Sequence, residues 1–158
     1  MNGEITISDG TGTPLTLTLT LDEGNFSVSG MGAKLRGLGI YQSRGVTRGV
    51  QYTERTYPTG SFSSFIAEWS DTTTGTLWDM ILGTTGTPFA DRQSTLGASH
   101  PVVALDIKLK WLDHEGSGRQ IDLHDCVING SFSEGDPNTL SFDFQVLGEI
   151  GGDLTIDG

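Results

Sequence analysis

Strict alternation of apolar and polar residues constrains this chain more than any motif in it. Leu15, Leu17, Leu19 and Leu21 point to one side of an extended segment, and Thr16, Thr18 and Thr20 to the other. Pro14 opens the run and Asp22-Glu23-Gly24 closes it. A period of two belongs to a strand with one covered face. Val103, Leu105, Ile107, Leu109 and Trp111 repeat the pattern against Ala104, Asp106, Lys108 and Lys110. Leu140, Phe142, Phe144 and Val146 repeat it against Ser141, Asp143, Gln145 and Leu147. A fourth run, residues 121–128, alternates less cleanly, because Asp125 interrupts the apolar face of Ile121, Leu123 and Val127.

Shorter strands are expected at residues 4–8, 26–29, 34–41, 50–57 and 61–69. Phe62, Phe65, Ile66 and Trp69 also fit helical spacing, but the Ser and Thr around them favour a strand. Asp9-Gly10, Glu23-Gly24, Glu115-Gly116, Asn129-Gly130 and Glu134-Gly135-Asp136-Pro137 read as turns. One helix is expected at about residues 74–82, where Leu77, Trp78, Ile81 and Leu82 make an apolar stripe. Asp71 and Thr72 to Thr74 offer N-cap oxygens, and Gly83 stands where the helix would end. Residues 83–101, rich in Gly, Thr and Ser, read as a long loop. With 23 Gly and 20 Thr in 158 residues, turn and strand formers exceed a quarter of the chain. The expectation is a mainly β fold: an antiparallel β-sandwich or open barrel with one flanking helix and long loops, forming a single domain over residues 1–158. Apolar residues are only 35%, so the core is expected to be thin and to need partners to finish burying its apolar surface.

Charge narrows the function. Lys and Arg number 9 against 20 Asp and Glu, for a net charge of −11. Such a chain is poorly suited to gripping nucleic acid from outside or adhering to anionic membranes. The sum hides an asymmetry. Residues 34–55 carry Lys34, Arg36, Arg44, Arg48 and Arg55 against Glu54 alone, whereas residues 113–158 set ten acids against Arg119. An internal salt-bridged surface and complementary patches on successive copies are two readings of that split, and a solvated loop is the plainer third. The lone Cys126 excludes an internal disulfide, and no apolar run approaches membrane-spanning length. Met1 to Thr6 lacks the features of a signal peptide, which predicts a product made and retained in the cytosol, or released only by lysis.

The search for chemistry returns little. Gly30-Met31-Gly32 and Gly37-Leu38-Gly39 do not complete a phosphate-binding pattern. Asp113-His114-Glu115 is a candidate metal group, and on a strand Asp122, His124 and Cys126 would share one face, but the other half of a site is missing. A polar strand face beside a turn is the plainer reading. No nucleophile elbow occurs, nothing around Cys126 indicates activation, and no catalytic residue is nominated. No cofactor is expected.

The order of features says more. An opening Ile5-Thr6-Ile7-Ser8-Asp9-Gly10-Thr11-Gly12-Thr13-Pro14 leads into the first alternating strand and Glu23-Gly24-Asn25-Phe26. The basic Arg44-Gly45-Val46-Thr47-Arg48-Gly49 follows, then Ser61-Phe62-Ser63 feeding Gly75-Thr76-Leu77-Trp78-Asp79-Met80-Ile81-Leu82-Gly83. The chain closes on Asp136-Pro137-Asn138-Thr139-Leu140-Ser141-Phe142-Asp143-Phe144. Over nearly its whole length it resembles the major tail tube proteins of long-tailed bacteriophages of the siphophage type. The resemblance implies a virion protein, not an enzyme, that closes into rings, typically of six, and stacks them into a hollow tail tube. Its partners would be further copies of itself and other tail proteins such as the tape measure, tail tip and terminator. Double-stranded DNA would pass through the lumen without specific binding, and no membrane is involved. Secretion-system tubes share the architecture.

On that reading Asp122, His124, Asp143 and Gln145, on the acid-biased polar strand faces, are expected to line the lumen, where acids repel DNA phosphate. The loop around Arg44 and Arg48 is expected to reach the acidic surface of the adjoining ring. The alternative is a carbohydrate-binding jelly-roll module with Trp69, Trp78 and Trp111 as platforms, although Trp78 and Trp111 sit where core residues belong. An all-β hydrolase is a third class, without a nominated site.

Overall fold

The computed structural model describes residues 3–21, 25–65, 69–135 and 139–156. The alternating segments form β1 (Gly3–Ser8), β2 (Thr16–Leu21) and β3 (Phe26–Ser29), followed by β4 (Arg36–Ser43), β5 (Val46–Arg55) and β6 (Thr59–Phe65). The helix α1 (Leu77–Leu82) precedes β7 (Leu105–Leu112), β8 (Gly118–Ser133), β9 (Thr139–Val146) and β10 (Ile150–Gly152). The main sheet is antiparallel, in the order β2-β1-β7-β8-β9-β6-β3, with β10 beside the first half of β8. Strands β4 and β5 pair only with each other. The fold is therefore mainly β, antiparallel and sandwich-like, with one short helix.

Chain connectivity requires the sheet to curl. Leu21 ends one edge strand and Phe26 begins the other, a separation the intervening chain spans to at most ~19 Å. Flat, these edges would stand about 29 Å apart. Accordingly Leu17 and Leu19 of β2 pack on the same core cluster as Phe26 and Val28 of β3. The turn in the sheet is made in β8. Its residues 118–126 pair with β7 and residues 126–133 with β9, and the register with β7 slips between the Leu105 and Ile107 pairs. There His124 and Asp125 together face Asp106, and Asp125 takes φ 54. That is a β-bulge, the usual device for bending a strand from one layer into another.

The bulge also corrects the reading of this strand. Beyond it the alternation changes phase, so Leu123, Cys126 and Ile128 are buried while Val127 is only half-buried. Cys126 thus leaves the face that carries Asp122 and His124. A second correction concerns Asn129-Gly130, which lies inside β8 and is not a turn. Gly130 stands opposite Phe142, and a Cβ on it would come within 2.8 Å of the Trp78 ring. Its role is close approach to an aromatic side chain.

The helix is shorter than expected. It begins at Leu77, capped by Thr76, whose hydroxyl accepts from the Asp79 amide while the Asp79 carboxylate accepts from the Thr76 amide. Asp71 and Thr72 to Thr74 therefore precede the cap and do not form it. Leu77, Asp79 and Met80 are its buried residues, and Leu82, expected in the stripe, is 65% exposed. Residues 83–101 form turns, as expected of a loop, but they are packed: Thr87, Phe89 and Ser94 are buried. Arg92 donates to the Met80 and Ile81 carbonyls at 2.8 Å each, closing the free C-terminal end of the helix.

The core is one cluster built from the inner faces of the sheet. Ile5, Ile7, Ile107 and Leu123 come from the half before the bulge, and Phe62, Phe142, Phe144 and Val146 from the half after it. Phe62 stacks on Phe142 at 5.3 Å, and Phe26 on Phe144 at 5.5 Å. Asp9, expected to mark a turn, is a buried joint. Its Oδ1 accepts from the Leu15 amide at 2.8 Å and from the Thr11 amide and hydroxyl, and its Oδ2 accepts from the Gln93 amide at 3.0 Å. The expected turns at Glu23-Gly24 and Asp136-Pro137 fall outside the described residues. Residue 69, the end of the expected sixth strand, lies beyond β6, and 66–68 are likewise outside them.

Candidate functional site

Two surfaces stand out: the polar face of the main sheet and the hairpin that does not belong to it. Period two puts Glu4, Asp106, Lys108, Lys110, Asp122 and His124 on the outer face before the bulge. After it the outer face carries Ser27, Ser61, Asn129, Ser131, Asp143 and Gln145. All four residues expected to line a lumen, Asp122, His124, Asp143 and Gln145, therefore lie on the outer side of the sheet, two on each side of the bend, and only Asp143 and Gln145 share a groove.

The two halves differ in chemistry. In the first, Asp122 stands opposite Lys108, with the Gln120 amide 3.3 Å from its carboxylate, and His124 Nδ1 lies 3.7 Å from Asp106 Oδ1. In the second, Asp143 is flanked by Asn129 and Ser61, and Gln145 by Val127 and Thr59. That half is a shallow groove of about 530 Å³ walled by hydroxyls and amides, with Asp143 its one charged lining residue.

Neither metal candidate holds together. Cys126 is buried on the inner side of β8, and burial, followed by the Asp106 and Asp125 carboxylates, pushes its thiol pKa far up. The Asp113 carboxylate is occupied as a turn staple, accepting from the amides of Glu115 at 3.0 Å and Ser117 at 2.9 Å and from Arg119 at 3.0 Å. The Ser117 bond foremost holds its pKa below the ordinary value. Among the described residues no group of three His, Cys, Asp or Glu side chains could hold a metal ion, and no helix is long and apolar enough to cross a membrane.

The second surface is the β4–β5 hairpin. Where the sequence suggested a basic loop over residues 44–49, the strands run on to Ser43 and from Val46, leaving Arg44 and Gly45 as a two-residue turn. Both have positive φ, 54 and 75, as a type I′ turn demands. Asn-Gly is the usual signal for that turn, so an arginine in the first place obscures it. Holding Arg44 in the left-handed region costs roughly 1 kcal/mol. Arg48 follows on β5 and is also exposed.

One face of the hairpin is apolar and open. Leu38 pairs with Tyr52 and Ile40 with Val50, so the four side chains share a face. They are 62%, 44%, 59% and 58% exposed, respectively. The base is fixed: Leu35 is in the core, and Arg55 donates to the Gly148 carbonyl at 2.8 Å. A two-stranded ribbon with one apolar face is marginal in water unless something covers that face. Sequence reading placed both strands but did not join Leu38 and Ile40 to Val50 and Tyr52, because the register depends on the hidden turn.

A smaller open apolar site lies at the helix. Trp69, 52% exposed, sits 6.0 Å from Trp78 and 5.3 Å from Phe132, itself 49% exposed. Trp69, Trp78 and Leu82 line a cleft of about 310 Å³. Trp78 packs on the core as expected, and Trp111 is half-buried at the end of β7. Compared with known family models and with curated proteins, the chain matches none.

Proposed function

We propose that this chain is a self-assembling structural protein of the tail-tube kind, whose copies close into rings and stack into a hollow conduit. The observation that carries this reading is the hairpin: a basic ribbon with an open apolar face and a strained arginine turn, projecting from a chain that is otherwise acidic. Arg44 and Arg48 at and near its tip contact the acidic surface of a copy in the adjoining ring. Steering by opposite charge brings the copies together, and apolar burial then holds them.

The curled sheet supports the same reading. Strands β2 and β3 end the strand order, and such unpaired edges are a liability in a monomer that closure into a ring removes. The polar outer face then lines the bore, with Asp143 and Gln145 after the bend and Asp122 and His124 before it. After the bend that face is hydroxyls, amides and the Asp143 carboxylate, which offer DNA phosphate little to hold, and before it Asp122 stands opposite Lys108, so the duplex slides. Other tail proteins would cap and measure such a tube in the virion.

Negative-stain microscopy of the concentrated protein tests this. Hollow tubes of stacked rings are the expected result. Reversing both charges with Arg44→Glu and Arg48→Glu should leave a folded protein that does not polymerise. A wild-type protein that stays monodisperse and monomeric at all concentrations would refute the reading, and unchanged tubes from the double variant would refute the role of the arginines.

A further inference from the structure

The β4–β5 hairpin stands outside the main sheet, and its burial shows how little holds it there. No residue of either strand is buried. Gly37, Gly39, Gly49 and Arg55 are half-buried and every other residue of the two strands is exposed. Arg55 is therefore the one side chain on them that is not fully open to solvent. The chain enters the hairpin from Leu35, which is in the core, and leaves it towards Pro58, which is buried. The Thr56 amide donates to the Leu35 carbonyl at 2.9 Å, so exit and entry are held side by side. Two adjacent attachments define an axis about which a ribbon can swing, and leave its angle to the body open.

Arg55 supplies the third point. Its Nη2 donates to the Gly148 carbonyl at 2.8 Å, and its guanidinium lies over the Tyr57 ring, 5.5 Å from the centroid. Among the described residues this is the one side-chain hydrogen bond that reaches from the hairpin strands to the body. Gly148 is in turn pinned to the bulge. Its amide donates to the His124 carbonyl at 2.9 Å, and the Leu147 amide to the Asp125 carbonyl at 3.0 Å. A Cβ on Gly148 would come within 2.6 Å of the same His124 oxygen. The angle of the hairpin is thus referenced to the bend of the main sheet.

We propose that Arg55 aims the hairpin: the β4–β5 ribbon is an arm hinged at Leu35 and Thr56, and the Arg55–Gly148 contact is the latch that holds it at one angle. The latch is a property of the single chain. Its consequence, that copies add to one another in one geometry, rests on the self-assembly reading. Removing the guanidinium should cost the fold little. Arg36 stands directly across from Arg55 in the ladder, a like-charge pair, and the buried Nε of Arg55 has no acceptor. Both are unfavourable and offset the bond to Gly148.

Nitrogen-15 relaxation of the full-length protein, kept below its assembly concentration, tests the latch. Arg55→Met retains an unbranched stem and drops every donor. In the wild type the hairpin amides should share the correlation time of the main-sheet amides. In Arg55→Met they should lose it, with the melting temperature unchanged and the Leu38–Tyr52 and Ile40–Val50 cross-strand contacts still giving NOEs. Arg55→Lys, whose ammonium can donate to the same carbonyl, should restore common tumbling in part. A hairpin that already tumbles independently in the wild type, or that tumbles with the sheet in Arg55→Met, overturns the proposal. So does loss of the cross-strand NOEs, which would show that Arg55 holds the ladder and not its direction. Arg55→Lys as loose as Arg55→Met would overturn the hydrogen bond as the latch. A wild type that never assembles refutes self-assembly and leaves the latch standing. Where the wild type forms tubes, Arg55→Met should raise the concentration needed for them, and tubes unchanged in onset and order overturn the role of the latch in assembly.

Discussion

Replacing Asp9 with alanine should be among the most damaging single changes in this chain, although the residue lies in a loop. Its carboxylate is 3% exposed and gathers donors from two separated segments, the Leu15 and Thr11 groups on one side and the Gln93 amide on the other. The next residue closes the joint. The Gly10 amide donates to the Gln93 carbonyl at 2.9 Å, and a Cβ on Gly10 would come within 2.4 Å of the Ser94 carbonyl oxygen. Alanine at position 9 would leave the Leu15 and Gln93 amides without acceptors. A partly buried hydrogen bond to a charged group is worth about 1.5–3 kcal/mol, and Thr11, nearer solvent, can recover water, so the expected loss is about 3 kcal/mol. For a chain of this size that corresponds to a fall in melting temperature of about 6–12 °C. Asparagine should recover part of the loss, because its carbonyl can serve the Leu15 amide while its NH2 group opposes the Gln93 amide. Urea unfolding followed by tryptophan fluorescence measures all three proteins. An alanine variant within about 0.5 kcal/mol of wild type, the spread of ordinary surface changes, would refute the reasoning.

Gly130→Ala should destabilise by about 1–3 kcal/mol, since the added methyl meets the Trp78 ring and the Phe142 ring (2.8 and 3.1 Å); the same unfolding assay reads it, and a variant as stable as wild type would contradict the packing. Asp79 provides a pH dependence. Burial raises its pKa, but hydrogen bonds from the Asp71 amide, Ser70, the Thr76 amide and Thr84 outweigh it and set the folded pKa below the ordinary value. A depressed folded pKa means that the stabilisation is fully present above the unfolded value of about 3.9 and is lost as pH falls through the folded one. Asp79→Asn should therefore flatten the acid limb of the stability curve relative to wild type, and two parallel limbs would refute the assignment. Cys126, buried with a raised thiol pKa, should react with a thiol reagent only as fast as the protein unfolds. Labelling of the native protein at the rate of a free thiol would place it elsewhere.

The residues that made the fold legible were those in which one physical rule acted alone. Leu15 to Leu21 and Leu140 to Val146 alternate because one sheet face is covered and the other wet, so periodicity located those strands. Legibility failed where two rules competed. Asn129-Gly130 has turn chemistry, but Gly130 is small because the Trp78 ring lies against it, a contact between residues far apart in the chain. Arg44 hides a type I′ turn behind a side chain that rarely takes positive φ, and with the turn went the register that gathers the apolar face of the hairpin. Asp125 was visible as an interruption, yet only pairing with β7 shows that it shifts the alternation and turns Cys126 inward. The polar residues of the candidate bore were legible as a face. The open apolar surfaces were not, because exposure is a property of what fails to pack and has no period of its own.

The net charge of −11 and the hairpin bear on each other. An acidic chain repels its own copies at long range, which protects open strand edges and exposed apolar residues from indiscriminate contact. The same repulsion would forbid assembly if it were uniform. It is not uniform: four arginines and one glutamate lie between Arg36 and Arg55, on the one ribbon outside the main sheet. On the proposed self-assembly, the attractive encounters are those that bring this ribbon against the rest of another copy, and the charge pattern would select the orientation before any apolar surface is buried. The strain at Arg44 fits the same logic. Glycine or asparagine would relax that turn by about 1 kcal/mol, but neither would place a cation at the tip. On the proposed self-assembly, the attraction of Arg44 to a second copy of this acidic chain would offset the strain that it carries in the folded monomer.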